Sequence, residues 1–163
     1  MFKKASNRES HQDSVRIAIV KAGWHAEIVE AFSKSCRQHL AEQDSSIHIS
    51  EYEVPGVVEI PLFSSKLINK GLVDIVVVTG LIADHGVYRH DFVARTVMDA
   101  TMQLQMKTGV PIIYGILTPQ EFMSEGREDF FRVHFSGKGV EAAEACLRTL
   151  SNEHLLERLC AAG

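Results

Sequence analysis

Two stretches concentrate residue types that can do chemistry: Gly80–Val93 (GLIADHGVYRHDFV) and Val54–Pro61 (VPGVVEIP). The first begins where the strand-like run Asp74–Gly80 (DIVVVTG) ends, and it leads into an amphipathic segment from about His90. A strand, a short glycine-containing loop and a helix start bring unpaired backbone N–H groups to one point. With the helix dipole, they make that point attractive to anions. Arg89 and His90 stand there together. Guanidinium keeps its proton in proteins, so Arg89 suits charge stabilisation. A neutral imidazole, which the positive end of the dipole favours over imidazolium, can accept a proton and return it. A cation and an imidazole beside an anion site are parts for phosphate chemistry.

Other residues carry two readings each. Glu59 lies between Val58 and Ile60 and just before Pro61, in an otherwise apolar stretch. A carboxylate there needs donors or solvent, and either a ligand hydroxyl or a helix N-terminus supplies them. Trp24, the sole tryptophan, follows Gly23 in a loop. It packs as a lid over a helix or offers a flat face to a planar heterocycle. His25 reads as a helix-start residue. Arg127, Arg132, His134 and Lys138 form a basic cluster, either a solvated face or a phosphate clamp, and their spacing selects no single member. Asp84, His85, His90 and Asp91 include metal-binding types but no HxxxH or HExxH pattern, so no metal is expected. Cys36, Cys146 and Cys160 form no CxxC pair and read as reduced thiols.

The elements that must position these residues follow from periodicity. Val15–Val20 (VRIAIV) reads as a strand buried on both faces, and Ile28, Phe32, Cys36 and Leu40 mark the helix after it. Ile47–Val54 alternates like a strand near a sheet edge. Ile60–Lys70 looks helical, Asp74–Gly80 is a third strand, His90–Thr108 a third helix and Pro111–Leu117 a fourth strand. Thr118–Gly137 is the least periodic part, expected as a short helix and a loop carrying Arg127, Arg132 and His134. Lys138–Ser151 reads as the last helix, with Glu153–Ala162 extending it or adding a turn. Strands alternating with helices predict right-handed βαβ units, hence an α/β fold. The expected architecture is a three-layer α/β/α sandwich around a four-stranded parallel sheet, of flavodoxin-like type. Ligands of such sheets bind beyond the carboxyl ends of the strands, where four loops carry the residues named above.

Composition bounds the rest. The 163 residues suffice for a single domain over residues 15–163, preceded by a flexible polar arm at 1–14 that lacks the apolar core of a signal peptide. The formal net charge of −4 argues against non-specific nucleic-acid binding. No apolar run approaches the roughly 20 residues needed to span a bilayer, so a cytoplasmic protein is expected.

Taken together, these segments resemble lumazine synthase, which makes 6,7-dimethyl-8-ribityllumazine in riboflavin biosynthesis. The resemblance runs from Val15 to about Ser151. It rests on Trp24 after the first strand, the PGxxEIP motif (Pro55, Gly56, Glu59, Ile60, Pro61), the third loop, and the KGxEAA start at Lys138–Ala143. Trp24, YRHDF (Tyr88–Phe92) and DFFRVHF (Asp129–Phe135) look like the family's second type, associated with decamers of two pentamers. The resemblance implies two small-molecule substrates, no cofactor, and sites between adjacent subunits of a homopentamer or decamer. Trp24 would stack on the pyrimidine of 5-amino-6-ribitylaminouracil, and Gly56, Val57, Val58 and Glu59 would hold its ribityl chain. Leu81, Ile82 and Ala83 would line the heterocycle edge, and Tyr114 would come from a neighbour. Gly86 and Val87 would bind the phosphate of 3,4-dihydroxy-2-butanone 4-phosphate, with Arg127, Arg132 or His134 as its cation. In a gapless match the family's catalytic histidine falls at Arg89, one residue before His90. A count back from Lys138 puts Phe130 at the family's arginine position, with Arg127 a looser match. A non-catalytic flavin- or lumazine-binding protein on the same fold is the alternative.

Overall fold

Runs of β-branched residues become strands, and apolar residues recurring every three or four positions become helix faces. The computed structural model describes residues 14–84, 89–120, 122 and 124–162. The elements are β1 (Arg16–Ala22), α1 (Ala26–Gln43), β2 (His48–Val54), a 3-10 turn (Val57–Glu59) and α2 (Ile60–Asn69). They continue with β3 (Ile75–Leu81), α3 (His90–Thr108), β4 (Ile112–Leu117) and α4 (Arg127–Ala161). Except for Ser14, the expected arm lies outside the described residues.

Among the described residues the four strands form one sheet in the order β2-β1-β3-β4, with every pairing parallel. The alternating strand β2 lies at an edge, whereas Ile17–Val20 of β1 and all of β3 are buried. Each strand sends alternate side chains to opposite faces. Ile17, Ile19, Ile75 and Val77 meet Phe32 and Cys36 of α1 and Phe135 and Cys146 of α4. Ala18, Val20, Val76 and Val78 meet Ile60 of α2 and Val97 of α3. This is the expected three-layer α/β/α arrangement. At the opposite end from the loops, the Arg16 guanidinium forks onto Asp74, with Nε donating to Oδ2 at 3.1 Å and Nη2 to Oδ1 at 2.9 Å. That pair ties the start of β1 to the approach to β3.

The last helix departs from expectation. From Arg127 onward the irregular stretch and the final helix are one 35-residue helix, Arg127–Ala161, so Arg127, Arg132 and His134 stand on helix rather than loop. The stripe that organises it is Phe131, Phe135, Gly139, Ala142, Ala143 and Cys146, all buried. Gly137 disguises this stripe, because glycine in a helix interior is unfavourable by about 1 kcal/mol and reads as a break. Gly139 is there for proximity. A Cβ on it would overlap Ser35 Oγ and the Phe32 carbonyl of α1. At the same crossing Ser35 Oγ donates to the Ser136 carbonyl at 2.7 Å. Cys36 and Cys146 are buried beneath it, and burial pushes the Cys36 thiol up to about 12. Cys160 is exposed.

The crossing separates two glycines two residues apart. Gly139→Ala should destabilise the fold by about 1–3 kcal/mol through overpacking. Gly137→Ala, whose Cβ meets nothing within 4 Å, should be neutral or gain up to about 1 kcal/mol of helix propensity. Urea denaturation of both variants measures the contrast, and equal effects would disprove the close crossing.

Candidate active site

The rim beyond the strand ends is assembled by short-range backbone contacts. After β1, Gly23 N–H donates to the Val54 carbonyl at 2.8 Å, drawing the first loop onto the end of β2. Trp24, 72% exposed, follows. Its Cε2 lies 4.0 Å from where a Cβ on Gly56 would stand, so the indole lies beside the PGxxE backbone. His25 then adopts φ 56°, ψ 43°, the one positive φ outside glycine among the described residues. For an L residue this left-handed conformation costs roughly 1–2 kcal/mol. It turns the chain sharply into α1, where the His25 carbonyl accepts from Ile28 and Val29 N–H. Its helix-start role is thus structural and strained.

In the second loop Gly56 N–H donates to Glu59 Oε2 at 3.0 Å. The carboxylate therefore has a helix-start donor, one of the two partners its sequence context demands. Val57 points inward, and Gly80 of β3 makes room for it. A Cβ on Gly80 would stand 2.6 Å from Val57 Cγ1 and 3.1 Å from Ala22 Cβ. Val58 and Glu59 face outward.

The third loop divides similarly. Leu81 and Ile82 are buried, and Ile82 N–H donates to the Leu117 carbonyl at 2.9 Å. Ala83 and Asp84 are partly exposed. Gly86 and Val87, the expected phosphate-binding amides, lie outside the described residues with His85 and Tyr88. Beyond them Arg89 and His90 part company. Arg89 is directed to solvent, 3.6 Å from Asp91 and over the Phe92 ring at 6.0 Å. His90 is more enclosed, with Nδ1 3.6 Å from Asp84 Oδ1. The Phe92 N–H holds the Asp91 carboxyl below its usual range, helped by Arg89. Tyr114 is half-buried on β4 opposite Val78, and burial raises its phenol above the usual value.

The start of α4 carries a cluster that spacing alone does not reveal. The Arg127 guanidinium carbon lies 5.3 Å from the Phe130 ring centre and 5.0 Å from that of Phe131, and Nη2 donates to the Gln120 carbonyl at 3.2 Å. Phe131 meets Phe122 at 5.7 Å, and Phe122 meets His25 edge-on at 5.1 Å. Aromatic contacts thus run from the turn after Trp24 to Arg127. Arg132 is engaged by Asp129 at 3.1 Å and Glu27 at 3.9 Å, and His134 is stacked on Phe130. The FF pair with a histidine one turn later is the sequence signal, legible only once this stretch is known to be helical. Under the rim, Lys21 is held between Glu30 at 2.5 Å and Glu51 at 3.4 Å.

The arrangement offers a flat aromatic face, an imidazole beside a carboxylate, and a guanidinium on an aromatic bed. These parts suit binding a planar heterocycle, proton transfer and holding an anion. Among the described residues no three His, Cys, Asp or Glu side chains could share a metal ion, and no helix is long and apolar enough to cross a membrane.

Comparison with known proteins places the chain in a family. Residues 14–154 match the family model described as 6,7-dimethyl-8-ribityllumazine synthase. A protein of Bradyrhizobium diazoefficiens named 6,7-dimethyl-8-ribityllumazine synthase 2 is 44% identical over 153 residues, covering 91% of this chain and 90% of that one. One of the same name from Pseudomonas syringae pv. tomato is 41% identical, covering 94% and 91%. The 6,7-dimethyl-8-ribityllumazine synthase of Rhodococcus erythropolis is 38% identical over 84% and 90%.

The Glu59–Gly56 bond generates a prediction of its own. Glu59→Ala strips the buried Gly56 amide of its acceptor, at a cost of about 1–3 kcal/mol to the local turn. Hydrogen exchange should show the Gly56 amide exchanging faster, with protection in β3 unchanged. An unaltered Gly56 rate would remove Glu59 from that role.

Proposed function

The chain belongs to the 6,7-dimethyl-8-ribityllumazine synthase family, and from that premise we propose that it is a transferase of riboflavin biosynthesis. It condenses 5-amino-6-(D-ribitylamino)uracil with 3,4-dihydroxy-2-butanone 4-phosphate, giving 6,7-dimethyl-8-ribityllumazine, phosphate and water. The observation that carries this reading is the contact between Trp24 and the Gly56–Glu59 turn. It supplies a stacking face beside a polar turn, as a heterocycle bearing a polyol chain requires. Glu59, which faces outward, has the carboxylate available to the ribityl hydroxyls, outward-facing Val58 lies against the chain's carbons, and Gly56 and Val57 contribute backbone. Because Leu81 and Ile82 are buried, Ala83 is the exposed member of the heterocycle edge. Phosphate binds at Gly86 and Val87, with Arg127 as the cation.

In this reading the uracil amine attacks the ketone carbon, and water leaves to give an imine. Removal of a proton lets phosphate depart, and a second condensation closes the ring. His90 is the proton carrier, since it is the more enclosed of the two candidates and has Asp84 beside Nδ1 to orient it. Arg89 stabilises charge. Most of the rate comes from holding two reactants in register, worth roughly 7–11 kcal/mol in favourable cases.

The same reading makes the protein a cytoplasmic homo-oligomer built on pentamers, as one ring or two. Its support is an apolar face on the α2–α3 side, where Val58, Leu62, Phe92, Met98, Met102 and Met106 are all at least 45% exposed. A monomer gains nothing from such a surface, whereas a neighbour covering it would also bring its own Tyr114 to the site.

Incubating the purified protein with both substrates should produce lumazine absorbance. Binding of the uracil without turnover would instead support the non-catalytic alternative. His90→Ala should slow turnover about 10²–10⁴-fold while leaving uracil affinity nearly intact, and equal losses of both would count against the proton role. In calorimetry Trp24→Ala should weaken uracil binding by about 1–3 kcal/mol. Unchanged affinity in a folded variant would take Trp24 out of the site.

A further inference from the structure

The basic cluster at the start of α4 contains several cations, and their surroundings differ. Arg132 faces Asp129 and Glu27, Lys138 Nζ is 2.6 Å from Glu141, and His134 lies flat on Phe130 at an interplanar angle of 9°. Arg127 has no carboxylate partner among the described residues. Its company is aromatic, Phe130 and Phe131 one turn ahead, at the spacings of three and four residues that bring helical side chains together.

We propose that Phe130 and Phe131 are positioning residues that hold the Arg127 guanidinium as the phosphate-binding cation. This deepens the synthase reading and rests on it. The geometry suits the task because the two interactions draw on different properties of the guanidinium. Two rings set at 78° to one another attract its delocalised charge, whereas an oxyanion is gripped by its N–H donors. The aromatic contacts therefore hold the group without using a hydrogen-bond donor that an oxyanion needs. The Gln120 carbonyl takes one Nη2 donor and sets the rotation. Nε is buried with no hydrogen-bond partner among the described residues, so the other N–H groups are the ones an oxyanion can reach. Phe130 is 53% exposed even with Arg127 and His134 against its ring.

Phe130 also stands where a count back from Lys138 places the family's arginine. Arg127, one helical turn earlier, reaches forward over the Phe130 ring. The cation is thereby delivered to the neighbourhood of position 130 from a different backbone position. Phe131, 7% exposed, anchors the bed in the core and joins it through Phe122 to His25, next to Trp24.

The test uses the full chain in its native assembly, with inorganic phosphate as the probe in calorimetry and both substrates in steady-state kinetics. Phe130→Leu keeps apolar bulk and removes the π face. It should weaken phosphate binding and raise KM for the butanone phosphate by about 3- to 10-fold, the scale of one cation–π contact. KM for the uracil and the melting temperature should stay put, and Phe130→Tyr should restore wild-type behaviour. Arg127→Ala should weaken phosphate further, and adding Phe130→Arg to it should recover much of the loss. Unchanged phosphate binding in Phe130→Leu overturns the proposal, as does an equal rise in KM for both substrates or a failure of Phe130→Arg to rescue. Wild-type protein that makes no lumazine, but whose phosphate binding still falls in Phe130→Leu, would sink the synthase reading and leave the aromatic bed standing.

Discussion

A bare backbone at Gly80 lets Val57 and Ala22 close on the end of β3, and the rest of the rim is arranged around that approach. Parallel pairing already brings every strand end to the same edge of the sheet. It does not decide how near the following loops come to one another. Val57 does, because it belongs to the turn after β2 yet packs into the core beside β3 and the end of β1. With Val57 buried, its neighbours Val58 and Glu59 are turned outward, and Gly56 is left against Trp24. A side chain at position 80 would push the second loop off the third. The placement of Trp24 beside the second loop therefore originates in an absent methyl group in the interior.

The two sides of the sheet divide the labour. On one, α1 and α4 cross closely at Gly139, and α4 carries the arginine cluster to the rim. On the other, α2 and α3 bury Ala18, Val20, Val76 and Val78 and present methionines and Phe92 outward. His90 begins α3, so an imidazole at the rim and a surface suited to self-association belong to one element. An oligomer that buries that surface fixes the helix from which the imidazole projects.

Much of this was legible in the residues. The β-branched runs predicted all four strands, and the alternation in Ile47–Val54 placed its strand at the sheet edge, because an edge strand is half-solvated and its pattern says so. The PGxxEIP motif and the lone tryptophan pointed to loops that the fold does bring side by side. What could not be read was the first three turns of α4. Glycine has one meaning for local propensity and another for packing: Gly137 closes the stretch of weakest periodicity, whereas Gly139 two residues on admits a neighbouring helix. With that stretch read as a short helix and a loop, the phase relation among Arg127, Phe130, Phe131 and His134 is lost. The strained turn at His25 was also invisible, since nothing local demands a left-handed histidine there. It follows from the tertiary need to turn the chain into α1 beside Phe122.

The unbroken course of α4 also governs which changes of length its first three turns could tolerate. Gly139 is pinned against α1, and each residue of an α-helix turns the chain by about 100°. Deleting a single residue between Gly139 and Phe131 would swing the guanidinium together with its aromatic bed a quarter-circle or more around the axis, away from the rim. Relocating the charge by three or four positions, with no change of length, keeps it on the same azimuth. Lineages can thus exchange an arginine for one a full turn away far more readily than they can gain or lose a residue in between.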